Sequence, residues 1–265
     1  MGERTVALVS GASSGIGAGV ARRLAAGGAA IVVCGRDEAR CAGVCEEIEA
    51  GGGTAWPLAF DLTDPDALGE AVERARTATE GVGPISWLVN NAGIVLTAPL
   101  LPLAGESFDE LHERHLATNL HGARRLIEAL VPAMVERGFG RVVNVASSAA
   151  LRGYPYAAAY AASKHALLGY SRVAVEELQH TGVGLNVVCP HYVDTPLTQA
   201  AAERAAERSG KSVKLVLRTF ARANPGGRLV TVDEVAEAVG ELIAGSDHGR
   251  IVELDGTDTP KEVVR

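Results

Sequence analysis

Short apolar runs alternate with longer amphipathic stretches along the whole of this chain, and that rhythm leaves few folds open. The runs Val6–Ser10, Ala30–Cys34, Ala55–Phe60, Trp87–Asn90, Arg141–Ala146, Leu185–Cys189 and Arg250–Leu254 are rich in Val, Ile and Leu, with little polar alternation. Strands read this way when both of their faces are buried, as in a parallel sheet covered by crossover helices. The gaps carry helical patterns at Gly15–Ala26, Asp37–Ala50, Asp64–Thr79, Phe108–Glu136, Ala157–His180 and Val232–Ala244. Asp64-Pro65 puts a capping oxygen before a proline at the first helical position, and Thr231 with Glu234 fits a capping box.

No repeat, low-complexity linker or charge block divides the 265 residues, so a single domain spanning 1–265 is expected. The stretch 196–228 breaks the rhythm. Its start is rich in Ala, Glu and Arg and reads as helix, while Asn224-Pro225-Gly226-Gly227 reads as a turn. An insertion of this length after a strand suggests a mobile flap over a site.

Aromatic residues are only 4% of the chain, so the core must be built from Ala, Val, Leu and Ile. A formal charge of −7 argues against nucleic-acid and anionic-membrane partners, which favour basic surfaces. No apolar stretch approaches the roughly 20 residues that cross a bilayer. The first strand-like run begins at Thr5 and leaves no room for a signal segment, so a cytoplasmic enzyme is expected. Cys34, Cys41, Cys45 and Cys189 form no CxxC pair and no zinc spacing with histidine; they read as reduced structural thiols, with no metal.

Two places carry chemistry. Directly after the first strand, Gly11-Ala12-Ser13-Ser14-Gly15-Ile16-Gly17 opens into a helix. Glycines permit a tight turn and close approach to a pyrophosphate, and the helix N-terminus offers free N–H groups. Further on, Tyr160 and Lys164 lie four residues apart in a helical pattern and so share a face. A neighbouring ammonium is expected to lower the phenol's pKa from about 10 and make it a usable acid/base.

With these motifs the chain resembles the short-chain dehydrogenase/reductase family, whose glycine pattern is TGxxxGxG; Ser10 stands here in place of the leading Thr. The resemblance extends over nearly the whole chain, and parts of it are similar to bacterial ketoreductases. It implies a Rossmann-type doubly wound parallel sheet of seven strands with helices on both faces. It also implies an NAD(P)(H)-dependent oxidoreductase that moves hydride between nicotinamide and a ketone/alcohol pair. Gly11, Ser13, Ser14, Gly15, Ile16 and Gly17 would hold the pyrophosphate. Where an NAD-preferring member has an acidic residue, this chain has Gly35 followed by Arg36, which favours NADP(H) over NAD(H), with Asp37 beside it as a tempering charge.

In the same family pattern Asp61, with Leu62, meets the adenine, although a turn role for Asp61 looks the same. Asn90-Asn91-Ala92-Gly93 matches the NNAG motif, so Asn91, Ala92 and Gly93 lie along the cofactor. Pro190, Val193 and Thr195 follow the sixth strand, with His191 replacing the usual Gly. The resemblance completes a catalytic tetrad. Ser147, thirteen positions before Tyr160, would hold the carbonyl oxygen; Ser148 is its neighbour and alternative. Asn119 would hold a water that links Lys164 to solvent. Tyr160 and Lys164 also count among the cofactor contacts.

The substrate pocket is expected from Ile94, Val95, Leu96, Leu100, Leu151–Tyr156, Tyr192 and the flap, an apolar and aromatic set that suits a bulky ketone. Lys211, Lys214, Arg218 and Arg222 in the flap read as a solvated face or as a contact for an acidic carrier. Two rival readings stand beside the oxidoreductase: a nucleotide-sensing regulator, against which the Tyr160–Lys164 pair speaks, and a sugar epimerase, which has a different glycine turn. Small residues at Ala157–Ala162 and Ala166 suggest a homotetramer or homodimer packed on that helix.

Overall fold

The computed structural model describes residues 4–100 and 108–263. Eight strands form one sheet: β1 (Val6–Ser10), β2 (Ala30–Gly35), β3 (Thr54–Ala59), β4 (Ile85–Asn90), β5 (Gly140–Val145), β6 (Val183–Pro190), β7 (Ile251–Leu254) and β8 (Lys261–Glu262). Their spatial order is β3-β2-β1-β4-β5-β6-β7-β8. The first seven are parallel, and β8 runs antiparallel on the edge against β7. The seven strands expected from apolar runs are present. The eighth is two exposed residues with no apolar pattern, held by its pairing alone.

Successive side chains of a strand point to opposite faces, so each central strand feeds two cores. Val6 and Leu8 enter one layer together with α3 (Pro65–Ala78), α5 (Ala123–Glu136) and α6 (Ala158–Glu177). Ala7 and Val9 enter the other with α1 (Gly15–Ala26), α2 (Glu38–Ala50) and α9 (Val232–Ala244). Burial on both sides is why the strands lack polar alternation. All four cysteines lie buried and unpaired in these layers.

The strand order reverses between β1 and β4. In doubly wound sheets the crevice at that point, beyond the strands' carboxyl ends, is where ligands bind. The helical pattern after Phe108 resolves into α4 (Phe108–Leu116), a π-helical segment at Ala117–Gly122, and α5. The flap forms α7 (Pro196–Ser209) and α8 (Val213–Ala223). It is tied down: Arg204 donates to Val95 O and Arg208 to Thr97 O and its hydroxyl. No helix among the described residues is long and apolar enough to cross a membrane.

Candidate active site

A cleft of about 540 Å³ opens along the carboxyl ends of β1, β2, β4 and β5. Its floor is the glycine turn. Gly11 and Gly15 have φ of +65° and +54°, which L side chains rarely adopt. A Cβ on Gly17 would sit 2.3 Å from the Gly11 carbonyl oxygen. Ser10 Oγ accepts from the backbone N–H groups of Asn91 and Ala92, and Asn91 Nδ2 returns bonds to the carbonyls of Ser10 and Gly11. This clamp locks the glycine turn to the end of β4. One strand away, Asn90 Nδ2 donates to Asn144 Oδ1, and Asn144 Nδ2 donates to Ser171 of α6.

Ser14 starts α1 without a capping side chain, whereas Asp37, Asp64, Thr195, Ser212 and Thr231 cap α2, α3, α7, α8 and α9. The first-turn N–H groups of α1 thus remain free beside the cleft, a fit for a pyrophosphate. At the far end Arg36 and Arg40 line the cleft, exposed and without ion pairs among the described residues. Asp37 does not neutralise them, because its carboxylate caps α2 by accepting from the Arg40 N–H. Arg40 had no place in the sequence reading, although it lies one helical turn from Arg36.

Ser13, Ser14, Gly15, Ile16, Asp61, Leu62, Asn91, Ala92, Gly93 and Thr195 also line the cleft. The Asp61 carboxylate accepts from the Thr63 N–H and hydroxyl, bonds that hold it below the usual carboxylate range. That is the turn role the sequence left open. Pro190 and Val193 stand apart from the cleft wall: Pro190 ends β6, and Val193 is buried in a bridge to Val230.

The reactive end gathers Tyr160 and Lys164 of α6 with Ser147, which follows β5. Burial pushes the Tyr160 phenol up to about 12, and a hydrogen bond with the Ser147 hydroxyl pulls the other way. Lys164 is buried with Nζ donating to Val145 O at 3.0 Å, and burial lowers it to about 8. The expected lowering of the phenol by the lysine is therefore corrected. Nζ stands 6.0 Å from the phenol ring centroid, and burial decides the direction for both groups. Both still carry their protons at neutral pH.

Asn119 lies in the π-helical segment, a feature common at functional sites. Its amide bonds both backbone groups of Ile94 and the Ser163 hydroxyl, which itself donates to Tyr160 O. Gly93 leaves room beside it: a Cβ there would lie 3.2 Å from Asn119 Oδ1 and 3.5 Å from Lys164 Nζ. His115 is a second residue the sequence reading passed over. It is buried edge-on to Tyr160 at 6.2 Å, accepts from Leu96 N, and burial holds its pKa down. Ser148, the alternative to Ser147, faces Tyr154 instead.

A cradle for a dinucleotide thus runs into a proton-transfer group in one continuous cleft. Residues 5–206 match the family model for short chain dehydrogenases. A protein assigned as a ketoacyl reductase in Streptomyces coelicolor is 37% identical over 240 residues, 90% of this chain and 89% of the relative. The D-beta-hydroxybutyrate dehydrogenase of Cupriavidus necator is 35% identical over 254 residues, 94% and 96% of the two chains. Among solved structures, an actinorhodin polyketide ketoreductase with NADPH superposes with a TM-score of 0.87 at 34% identity, over 96% of each chain. The chain belongs to the short-chain dehydrogenase family. It is an NAD(P)-dependent oxidoreductase of a ketone/alcohol pair.

Proposed function

We propose that this chain is an NADPH-dependent reductase of a bulky, mainly apolar ketone or ketoacyl intermediate. The observation that carries the reading is the pairing, in one cleft, of two unpaired guanidiniums at its far end with a buried Tyr160–Ser147–Lys164 cluster at the other. Arg36 and Arg40 supply planar donors for a 2′-phosphate that an NAD-type acidic residue would repel. NADPH solved with the similar actinorhodin ketoreductase supports the same choice.

When bound, the nicotinamide supplies hydride to the carbonyl carbon. Tyr160, protonated because burial raises its pKa, donates its proton to the carbonyl oxygen. Ser147 hydrogen-bonds that oxygen and fixes it within reach. An ammonium has three hydrogens and Val145 O takes one from Lys164, which leaves two for the cofactor's ribose side. Asn119 holds the Ile94 backbone and Ser163 around this cluster.

The segment 196–228 covers the substrate side. Tyr192 stacks on Phe220 of α8 at 4.4 Å and meets Tyr154 edge-on at 5.9 Å, an aromatic wall for an apolar substrate. A homotetramer or homodimer built on α6 belongs to the same reading. Ala162 and Val173 are exposed on that helix, and sedimentation at micromolar concentration should show a species larger than the 27.4 kDa chain.

The functional test is NADPH and NADH oxidation over a panel of ketones. NADPH should be preferred, and Arg36→Asp should shift preference to NADH. Equal use of both cofactors, unaltered by that substitution, would refute the NADP assignment.

A further inference from the structure

Behind the catalytic serine, five side chains from three loops form a polar chain that proton transfer by Tyr160 leaves unused. Ser148 Oγ lies 2.8 Å from the Tyr154 hydroxyl, which lies 3.4 Å from His191 Nδ1. His191 Nε2 lies 2.6 Å from Glu253 Oε1, and Arg152 bonds the same carboxylate oxygen. The His191 side chain is 1% exposed and that of Glu253 is 10%. His191 occupies the position where family resemblance leads one to expect glycine, so this chain has added a buried imidazole at the mouth of its active site. Polar groups buried so deeply need partners, and each of these has one.

The hydrogen bonds have a direction. A carboxylate only accepts, so Nε2 carries a hydrogen, and in the neutral ring Nδ1 is then an acceptor. Tyr154 is the hydroxyl placed to satisfy it. Burial pushes the Tyr154 phenol up, so it keeps a proton to donate, and the Ser148 hydroxyl donates in turn to the phenol oxygen. Turning the phenol proton the other way would strand a buried ring nitrogen without a donor, which is costly. The order is therefore Ser148 to Tyr154 to His191 to Glu253. Arg152, 46% exposed, balances the terminal charge at the surface.

This order spends Tyr154's only hydrogen on His191 and leaves a lone pair on its oxygen. Tyr154 packs edge-on against Tyr192, and both phenols stand near enough to Tyr160 to disfavour its ionisation. The spare lone pair thus borders the space in which Tyr160 meets the substrate carbonyl.

We propose that Tyr154 is a specificity-determining residue that accepts a hydrogen bond from a substrate hydroxyl, with His191 as the positioning residue that turns its proton away. The substrate class is then an apolar ketone carrying a hydroxyl apart from the reacting carbonyl. This inference rests on the ketone-reductase reading above.

The test is steady-state NADPH oxidation with a series of tetralones that differ in the position of one hydroxyl, each beside its methyl ether. For at least one position, kcat/KM should favour the hydroxyketone by about tenfold, the worth of one hydrogen bond, and the difference should fall on KM rather than kcat. Tyr154→Phe and His191→Phe should bring that ratio close to one. His191→Gln, which keeps an acceptor for Tyr154 and a donor for Glu253, should restore most of it. A wild-type ratio near one at every position, or a ratio that survives Tyr154→Phe, overturns the inference and leaves the reductase reading standing. Absence of NADPH oxidation with every ketone brings down the reductase reading itself, and this inference with it.

Discussion

The two halves of the cleft are built from different materials. Around β1, β2 and β4 the site is mostly backbone: a turn with two positive φ angles, free N–H groups at α1, and a seryl–asparaginyl clamp that joins neighbouring strand ends. Beyond β5, β6 and β7 it is mostly side chain: Tyr160, Tyr154, Tyr192 and Phe220, with a buried imidazole behind them. A backbone site tolerates few residues at fixed spacings, because a methyl group in the wrong place collides with main chain. A side-chain site can be rebuilt one residue at a time. One half thus fixes which cofactor chemistry is used, and the other is free to choose the substrate.

The sharpest way to break this contrast is Gly17→Ala, whose methyl would meet the Gly11 carbonyl oxygen at 2.3 Å and Asn91 Nδ2 at 2.5 Å. We expect NADPH affinity to fall by about 100-fold, with a lower Tm, by fluorescence titration and thermal melting. Unchanged affinity would show that the turn does not carry the cofactor.

Next in size is the cofactor switch. Removing both guanidiniums, Arg36→Ala with Arg40→Ala, should weaken NADPH by about 10- to 100-fold and leave NADH within a few-fold, since each lost charged hydrogen bond is worth about 1.5–3 kcal/mol before solvent screening. Competitive binding of the two dinucleotides measures this.

The pH dependence separates the two protons at the reactive end. Reduction needs protonated Tyr160 and, for cofactor contact, protonated Lys164. With Lys164 lowered to about 8 and Tyr160 raised to about 12, the rate of reduction should be flat through neutral pH and fall above about pH 8. Oxidation of the alcohol needs the phenolate and should rise with pH over the same range. Initial rates in both directions check the opposite slopes. The smallest effect is expected in the substrate half: Phe220→Ala, which removes the ring stacked on Tyr192, should raise ketone KM several-fold and leave NADPH affinity unaltered.

The same contrast governs how much the sequence discloses. The glycine turn and the apolar parallel strands leave spacing and composition patterns, and both were legible together with the order of Asn119, Ser147, Tyr160 and Lys164. Contacts between distant segments leave no such pattern. His191 and Glu253 are 62 residues apart, and nothing local marks them as partners. The π-helical segment at Ala117–Gly122 sits inside one unbroken amphipathic pattern, which reads as a plain helix. Depth of burial is equally hidden: Tyr160 and Lys164 share a helix face as expected, yet burial reverses the shift that spacing alone suggests for the phenol.

The most direct test of the account is single-turnover transfer of deuterium from NADPH labelled at the nicotinamide C4 to a ketone, followed in the wild type and in Tyr160→Phe. We predict label on the carbinol carbon of the wild-type product and a rate about 10²- to 10⁴-fold lower in the variant at unchanged NADPH affinity. Transfer at the wild-type rate by Tyr160→Phe, or product without label at that carbon, would contradict it.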